Sequence, residues 1–398
     1  MSDSAFRQPF SFILDARDNI VLIFGNDFQI VNKASATITH STRAVEGAHH
    51  IEGGHTTPIV AAALSPGQGH FVTSSNDRIV TIWDTATWTV KSSRPVNKRI
   101  TSIKFNKDED TFIVADKFGD LLSININNTE TLTPLLSHLT IVTDFAFARD
   151  GSEIVSADRD EKIRISRFPK CHLIDGFCFG HDSYVTRLQM MAGAGPDASD
   201  ILLSGGGDGL LIAWNLLTGS LVQRVSITDM IEQRFAAGQD AEKQDVDIMA
   251  IVATSDQKHV AVAVEDYPGI FVFNFDASAA EPLSFSQTLR VSADHRPTAL
   301  AIDAEGRLFV GWSNGTQLLS AFDLVNGKFE QSSADIVTTI NNSSSVRVVT
   351  VPSMLQYLQL RSGAQKTRVL GREAVRGDTD LMDEDAEQPD AKRVKTDE

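Results

Sequence analysis

Two glycine-rich runs are the first candidates for chemistry in this sequence, because glycine loops can hold phosphate groups. They are SGGGDG at residues 204–209 and AGAGPD at residues 192–197. A phosphate-binding loop needs a strand before it and the N-terminus of a helix after it. The first run is followed by LLIAW, which is typical of a strand, and the second lies between strand-like segments. We therefore predict that both runs are turns.

Metal ligands are scarce. The run HHIEGGH at residues 49–55 offers His49, His50, Glu52 and His55. Adjacent histidines on a strand point in opposite directions, and His55 is better explained as the opening residue of a repeat, so we do not expect a metal site here. The only cysteines are Cys171 and Cys178. This count favours a reducing compartment and argues against a disulfide framework or a zinc site built from cysteines.

The remaining polar residues do not form a motif for catalysis. No serine, histidine and acid share the context of a hydrolase site, and aspartates are common in turns for local reasons. We therefore predict a protein that is not an enzyme and needs no cofactor. The net charge of −16 disfavours tight nucleic-acid binding by bulk electrostatics, so contact with RNA would need a local basic face or a partner. We also expect no secretory signal and no membrane span.

A repeat organises the elements that carry these residues. It runs from GHTTPIV to IWD at residues 54–84 and returns at residues 180–215, with degenerate copies from residues 99 and 137 and weaker ones at 247–275 and 298–324. Strand-like segments at residues 10–31 and 345–360 bracket the array. About seven units with a period of roughly 40 residues predict an all-β, seven-bladed WD-repeat β-propeller. We assign residues 1–360 to the propeller, with an insertion at residues 232–244.

Within the two best copies, a buried chain of hydrogen bonds is expected to link loop to strand. Spacing suggests two such structural sets: His55, Ser75, Asp77 and Trp83 in one copy, and His181, Ser204, Asp208 and Trp214 in the other.

The stretch SADRDEKIRISRFPK at residues 156–170 departs from the repeat. Eight of its fifteen residues are charged. Ser166 stands where the better copies have tryptophan, so we expect the tryptophan-anchored network to be absent, while Asp160 keeps the register six positions earlier. The charged turn at residues 158–162 is predicted to lie on the rim of the ring. An ordinary solvated hairpin is the alternative.

The segment ADKFGD at residues 115–120 departs in the same way. If Ser123 is aligned with the tryptophan, Lys117 takes the place of the usual aspartate.

From residue 361 the chain is polar and charged, which predicts a disordered tail. Its AKRVK cluster at residues 391–395 reads as a nuclear import signal. We expect the nucleus, with the cytoplasm as a second compartment; the alternative is a solvated run of charges.

Four segments carry a resemblance to a known family. ADKFGD, SADRDEKIRISRFP (residues 156–169), FCFGHDSYVTRL (177–188) and LLSGGGDGLLIAWN (202–215) together resemble the non-catalytic WD-repeat subunit of the eukaryotic tRNA guanine-N7 methyltransferase. The match covers roughly residues 55–220. The resemblance implies a heterodimer in which a separate Rossmann-like subunit binds the methyl donor. The propeller would hold that subunit in an active form and help to bind tRNA for 7-methylguanosine formation at position 46.

The resemblance also implies which residues contact a partner. Arg159, Lys162 and Arg164 would face acidic side chains of the catalytic subunit or the tRNA backbone, and Asp160 and Glu161 would cap the turn or pair with basic residues. Lys117 and Asp120 would extend the patch, and Asp182 would be a further contact. The competing interpretation is a general WD scaffold, such as a substrate receptor of a ubiquitin ligase or a chromatin adaptor.

Overall fold

The computed structural model of the chain describes residues 10–343, except residues 108, 149, 196–197, 236–245 and 314–316. The predicted last strand at 345–360, the domain boundary at 360 and the charged tail with residues 391–395 lie outside the described residues. So do part of AGAGPD and most of the predicted insertion.

Seven antiparallel sheets form the fold, and each consists of strands that are consecutive in the chain. Blade 1 contains β1 (Phe12–Ala16), β2 (Asn19–Phe24), β3 (Asp27–Asn32), β4 (Ile38–Ser41) and β5 (His49–His50). Blade 2 contains β6 (Ile59–Leu64), β7 (His70–Ser75), β8 (Ile79–Asp84) and β9 (Thr89–Pro95). Blade 3 contains β10 (Ile100–Phe105), β11 (Thr111–Asp116), β12 (Asp120–Asn125) and β13 (Asn128–Ser137). Blade 4 contains β14 (Val142–Phe147), β15 (Glu153–Asp158), β16 (Ile163–Arg167) and β17 (Ile174–Cys178).

The second half of the ring follows the same order. Blade 5 contains β18 (Val185–Met191), β19 (Ile201–Gly206), β20 (Leu210–Asn215) and β21 (Leu221–Ser226), followed by α1 (Ile227–Phe235). Blade 6 contains β22 (Ile248–Ala253), β23 (His259–Val264), β24 (Ile270–Phe275) and β25 (Leu283–Leu289). Blade 7 contains β26 (Pro297–Ile302), β27 (Leu308–Trp312), β28 (Leu319–Val325) and β29 (Lys328–Gln331), and α2 (Asp335–Asn342) comes after it.

The first strand of every blade lines a central channel, to which β1, β6, β10, β14, β18, β22 and β26 all contribute. The second strand of each blade lies between the two neighbouring blades, which bury it on both faces of the sheet. Every residue of β19 (ILLSGG) and β23 (HVAVAV) is buried. This explains why the inner strands have continuous apolar runs, whereas an exposed sheet alternates.

The predicted all-β, seven-bladed propeller is confirmed. The SGGGDG run is the end of β19 and the turn to β20, so no helix follows it. The start of the predicted insertion belongs to the short helix α1, which the sequence reading did not anticipate. None of the described helices reaches the length and apolarity that crossing a bilayer requires.

Candidate partner-docking surface

Blade 5 shows how a buried polar chain holds the upper face, which we define as the face bearing the turns between the second and third strands of the blades. His181 contacts Asp208 through Nδ1 (2.9 Å to Oδ2) and Ser204 through Nε2 (2.7 Å to Oγ). The Trp214 indole donates to the same Ser204 oxygen at 2.7 Å. Burial alone would raise the pKa of Asp208, but the hydrogen bond from His181 brings it below its ordinary value. The structure thus joins all four residues of this predicted set.

Blade 2 has the same chain with a different central residue. His55 contacts Asp77 at 3.1 Å and the Thr73 hydroxyl at 2.8 Å, and Trp83 donates to Thr73 at 2.9 Å. Thr73, not the predicted Ser75, therefore joins His55 to Trp83. Ser75 lies opposite Ile59 at the end of β7; its hydroxyl contacts Thr57 at 2.9 Å and accepts a hydrogen bond from the Asp77 backbone N–H at 3.1 Å.

A spacing rule explains the error. The central hydroxyl lies ten positions before the tryptophan in both blades, at Thr73 for Trp83 and at Ser204 for Trp214. Cross-strand register sets this spacing, because the tryptophan pairs with a residue two positions before the hydroxyl.

Blade 4, which carries the charged stretch, keeps most of the buried chain. His138 contacts Asp158 at 2.9 Å and the Ser156 hydroxyl at 2.7 Å. Ser166 pairs with Ile154 as Trp214 pairs with Leu202, so it does occupy the tryptophan position. The Ser166 hydroxyl is buried and has no hydrogen-bond partner among the described residues. The expectation that the network is absent is therefore wrong: only its tryptophan has been lost.

Asp158, rather than Asp160, supplies the carboxylate of the buried hydrogen-bond chain in this blade. Its Oδ1 accepts hydrogen bonds from the backbone N–H groups of Asp160 (2.9 Å) and Lys162 (3.1 Å), which shapes the β15–β16 turn. Burial would raise the pKa of Asp158, but the hydrogen bond from His138 and those from the turn lower it. Because Asp158 caps the turn, Asp160 and Glu161 are not needed for that and are exposed, together with Arg159 and Lys162.

The β11–β12 turn of blade 3 repeats this geometry. Asp116 accepts hydrogen bonds from the backbone N–H groups of Phe118 (2.8 Å) and Asp120 (3.1 Å). Ile124 pairs with Phe112, so Ile124 takes the tryptophan position. The alignment of Ser123 with tryptophan is therefore wrong, and Phe118, not Lys117, stands in the aspartate position.

Phe118 is the centre of a small cluster. Its side chain is 53% exposed. The Lys98 and Lys117 amino groups lie 4.3 Å and 5.3 Å from its ring centroid, in the range of cation–π attraction. Asp120 forms an ion pair with Lys98 at 3.4 Å, so this predicted contact residue already has an intramolecular partner.

The loop at residues 138–141 connects the two turns. The backbone N–H of His138 donates to the Gly119 carbonyl at 2.9 Å, and that of Arg159 donates to the Ile141 carbonyl at 3.0 Å. Leu139, in the middle of this loop, is 97% exposed. We call the resulting patch the rim surface and define it by Lys117, Phe118, Leu139, residues 159–162 and Arg164. Asp182 is exposed at the start of blade 5, one blade further along.

Arg164 occupies an unusual position within the rim surface. Its side chain is partly buried and donates from Nη1 to the Ser137 carbonyl at 3.1 Å. Its Nε is buried without a hydrogen-bond partner among the described residues, and burial lowers the pKa of its guanidinium. Arg167, three residues later, instead forms an ion pair with Asp175 at 2.8 Å. Arg164 is therefore a partly desolvated cation that the Asp158 carboxylate stabilises at longer range, and it forms no direct ion pair among the described residues.

Sequence reasoning missed the apolar members of the rim surface. Phe118 lies inside the quoted ADKFGD segment, and a large aromatic residue in a charged turn is a usable signal. Leu139 lies in an unremarkable loop, and nothing in the sequence marks it.

The candidate metal ligands do not come together. His55 belongs to the blade 2 chain, and His49 lies on β5 beside His40, with ring centroids 5.1 Å apart. Within the part of the chain that the structure describes, no group of three or more histidine, cysteine, aspartate or glutamate side chains could hold a metal ion.

Solved structures with the same architecture are numerous but distant. The structure of U3-55K superimposes with a TM-score of 0.63 at 14% identity, covering 77% of this chain and 88% of that chain. The Cps50 (Swd1) β-propeller of Myceliophteria thermophila gives a TM-score of 0.61 at 10% identity, covering 79% of this chain and 99% of that one. At such identities the likeness establishes the fold alone.

Sequence relatives are more informative. The chain is 34% identical over 254 residues to the Danio rerio tRNA (guanine-N(7)-)-methyltransferase non-catalytic subunit wdr4, covering 63% of this chain and 59% of the relative. It is 34% identical over 215 residues to the Kluyveromyces lactis subunit TRM82 (49% and 47%), and 30% identical over 227 residues to the Homo sapiens subunit WDR4 (55% and 52%). The matched region thus spans three fifths or less of the length of these relatives.

The sequence profile described as "tRNA methyltransferase TRM82 WD40 domain" matches residues 32–134 and 125–323. Together these ranges cover well over half of the chain and include blades 2 to 6 completely. The chain therefore belongs to the TRM82 WD40 domain family of tRNA methyltransferase proteins.

Proposed function

We propose that this chain is the non-catalytic subunit of a tRNA guanine-N7 methyltransferase. It binds the catalytic subunit through the rim surface and stabilises it for 7-methylguanosine formation at position 46 of tRNA. The observation that carries the proposal is the group of cations on the β15–β16 turn of blade 4 and the start of β16. Arg159, Lys162 and Arg164 have no ion-pair partner among the described residues, in a chain of net charge −16.

Arg164 argues for a protein partner. A guanidinium loses solvation when it is partly buried, and a carboxylate can recover that energy in a bidentate pair. Arginine is also enriched among the residues that dominate binding energy at protein interfaces.

The exposed cations argue for a supporting role toward tRNA. The exposed Arg159 and Lys162 and the half-buried Lys117 lie on one edge of an acidic molecule, where phosphates could be held locally even though the whole chain repels them. A basic catalytic subunit would complement the remaining acidic surface and supply further phosphate contacts.

Charge reversal on the exposed turn tests the proposal. The full chain with Arg159→Glu and Lys162→Glu is co-expressed with the catalytic subunit, and both complex yield and methyl transfer to tRNA are measured. We expect a loss of complex or of activity of about tenfold or more, because like charges would oppose acidic partner groups or phosphate. Both side chains are exposed, so the melting temperature should change by only about one or two degrees.

A matched control reverses two exposed lysines far from the rim surface, Lys258→Glu and Lys328→Glu, which adds the same net charge on blades 6 and 7. This variant should retain complex and activity. If the wild-type chain forms no complex with the catalytic subunit, or if both double variants behave alike, the proposed function is wrong. Recovery of ligase or chromatin components without the methyltransferase would favour the general scaffold instead.

We also propose that the protein works in the nucleus, on the evidence of the basic cluster at residues 391–395. A fluorescent fusion of the full chain is expected to concentrate in nuclei. The variant with Lys392→Ala, Arg393→Ala and Lys395→Ala should be distributed evenly. An unchanged distribution would contradict this proposal.

A further inference from the structure

Exposed apolar side chains are concentrated on one part of the propeller. Eight of the eleven large apolar residues that are exposed in the described part of the chain belong to blades 3 to 5 or their connecting loops: Phe118, Leu139, Leu173, Ile174, Phe177, Phe179, Leu217 and Leu221. Leu173 and Leu217 follow the third strands of their blades and so lie at the opposite face from Phe118, which means that the eight residues are not one patch. Isolated exposed apolar residues are ordinary, but neighbours in contact can mark an interaction surface.

Phe177 and Phe179 form a pair within this group. Their rings stack with centroids 5.5 Å apart and an interplanar angle of 20°. Cys178 between them is buried in the cluster that joins blades 4 and 5. Because side chains alternate along a strand, the two phenylalanines project from the opposite face of the sheet. Phe177 is 38% exposed and Phe179 67% exposed.

The stacked pair lies next to Arg164. Arg164 and Phe177 are direct partners in the β16–β17 register, so their side chains are neighbours on one face of the sheet. Arg164 also contacts Ser137, which leads into the loop that carries Leu139. The pair is therefore continuous with the rim surface.

We propose that Phe177, Phe179 and Arg164 form one anchor site for a segment of the catalytic methyltransferase subunit. That segment places an apolar or aromatic side chain on the stacked rings and a carboxylate on the Arg164 guanidinium. Aromatic residues beside arginine are the usual composition of an interface hot spot. This inference rests on the proposed function. It identifies Phe177, Phe179 and Arg164 as the residues that supply most of the energy of binding to the catalytic subunit.

The charges around the pair favour protein over RNA as the occupant. A platform for nucleobases needs cations that follow the phosphate backbone. Asp175 is exposed two residues before Phe177, at the irregularity of β17, and Asp182 is exposed three residues after Phe179. Arg167 is already paired with Asp175. Because Arg167 neutralises Asp175, the carboxylate that a phosphate chain would meet here is that of Asp182, whereas a protein segment needs only one acid for Arg164.

The test measures the affinity of the purified full chain for the purified catalytic subunit by calorimetry. Phe177→Ala with Phe179→Ala is expected to weaken binding about 30-fold or more, as loss of a hot spot does. Phe285→Ala is the matched control, because Phe285 is 42% exposed on β25, the outer strand of blade 6. It should bind with wild-type affinity.

A double-mutant cycle sharpens the assignment. The affinity for the catalytic subunit is measured for Arg164→Met, for the double alanine variant and for the variant that combines them. The losses of binding free energy should not be additive, because Arg164 and the phenylalanine pair hold the same segment. If the double alanine variant proves unstable, Phe179→Asp alone replaces it, since that side chain is mostly exposed.

Wild-type affinity in these phenylalanine variants would overturn the inference and leave the proposed function intact, provided that the wild-type chain binds the subunit. If these variants keep their affinity for the catalytic subunit but lose cross-linking to tRNA, the inference is overturned, and the stacked rings would instead be a platform for nucleobases. Failure of the wild-type chain to bind would instead reject the proposed function.

Discussion

Three buried histidines hold the upper face of the propeller in place. His55, His138 and His181 each use both ring nitrogens, one toward a carboxylate and one toward a hydroxyl. Each side chain lies in the connection before the first strand of its blade and reaches the second strand and the turn after it. These polar groups thus fix loops whose sequences show no regular structure, which is what a docking surface requires.

At the residue scale, Asp158 and Asp160 are predicted to behave oppositely. Asp158→Asn should lower the free energy of unfolding by about 2 kcal/mol or more, because it weakens charge-assisted hydrogen bonds in a buried site. Asp160→Asn should change it by less than about 0.5 kcal/mol, as an exposed residue does. Chemical denaturation of both variants measures this difference; equal effects would contradict the assignment of Asp158 to the network.

The stability difference between wild type and Asp158→Asn is also predicted to depend on pH. The folded pKa of Asp158 lies below its ordinary value of 3.8, so its contribution is complete above that pH and disappears as pH falls through the folded pKa. The stability gap between wild type and Asp158→Asn should therefore be constant near neutral pH and shrink below about pH 3.8.

At the element scale, the contact between the β11–β12 turn and the 138–141 loop depends on glycine. Gly119 has φ +98°, and a Cβ there would lie 2.4 Å from the Thr140 carbonyl oxygen and 2.6 Å from that of His138. A side chain would therefore separate the two segments that carry Phe118 and Leu139.

Gly119→Ala is accordingly expected to destabilise the protein by about 2 kcal/mol more than Gly151→Ala. Gly151 has φ +77° in another turn, but its nearest neighbour would be 3.9 Å from a new Cβ, so it controls for backbone strain alone. Thermal unfolding gives the comparison. Similar losses in both variants would mean that the close approach at Gly119 is unimportant.

At the scale of the whole molecule, the described strands close the ring without exchange between the first and last blades. Blade 1 and blade 7 each use only their own consecutive strands, so side chains must join them. Phe10 and β1 pack with β26 and β27 in one apolar cluster, to which α2 adds Ile336 and Ile340. Lys33 of blade 1 forms an ion pair with Glu305 of blade 7 at 3.4 Å.

Asn341 is predicted to hold α2 on blade 7, where Ile336 and Ile340 of the helix join the apolar cluster shared with blade 1. Its side chain accepts from the N–H groups of Leu318 (2.8 Å) and Leu319 (3.0 Å) and donates to the Leu319 carbonyl (2.9 Å). Asn341→Ala should cost about 1–3 kcal/mol and speed hydrogen exchange at the start of β28. The exposed neighbour, in Asn342→Ala, should have little effect. Equal exchange in both variants would contradict this role.

The class of fold and the family could be predicted from the order of residues alone, because both depend on patterns that local chemistry preserves. Period-two strands, turns and a roughly 40-residue repeat predicted seven blades. The four residues His181, Ser204, Asp208 and Trp214 were found from spacing alone, since that copy of the repeat is complete. The charged stretch was also located correctly on the edge of blade 4.

Only the tertiary structure decided which side chains are used for the fold and which remain for a partner. Asp158 replaced Asp160, Thr73 replaced Ser75, and Phe118 took the position assigned to Lys117, because strand register and loop packing link residues remote in the chain. For the same reason Asp120 forms an ion pair with Lys98, whereas Arg164 forms none among the described residues. Burial and pairing depend on neighbours across blades, which a single sequence does not specify.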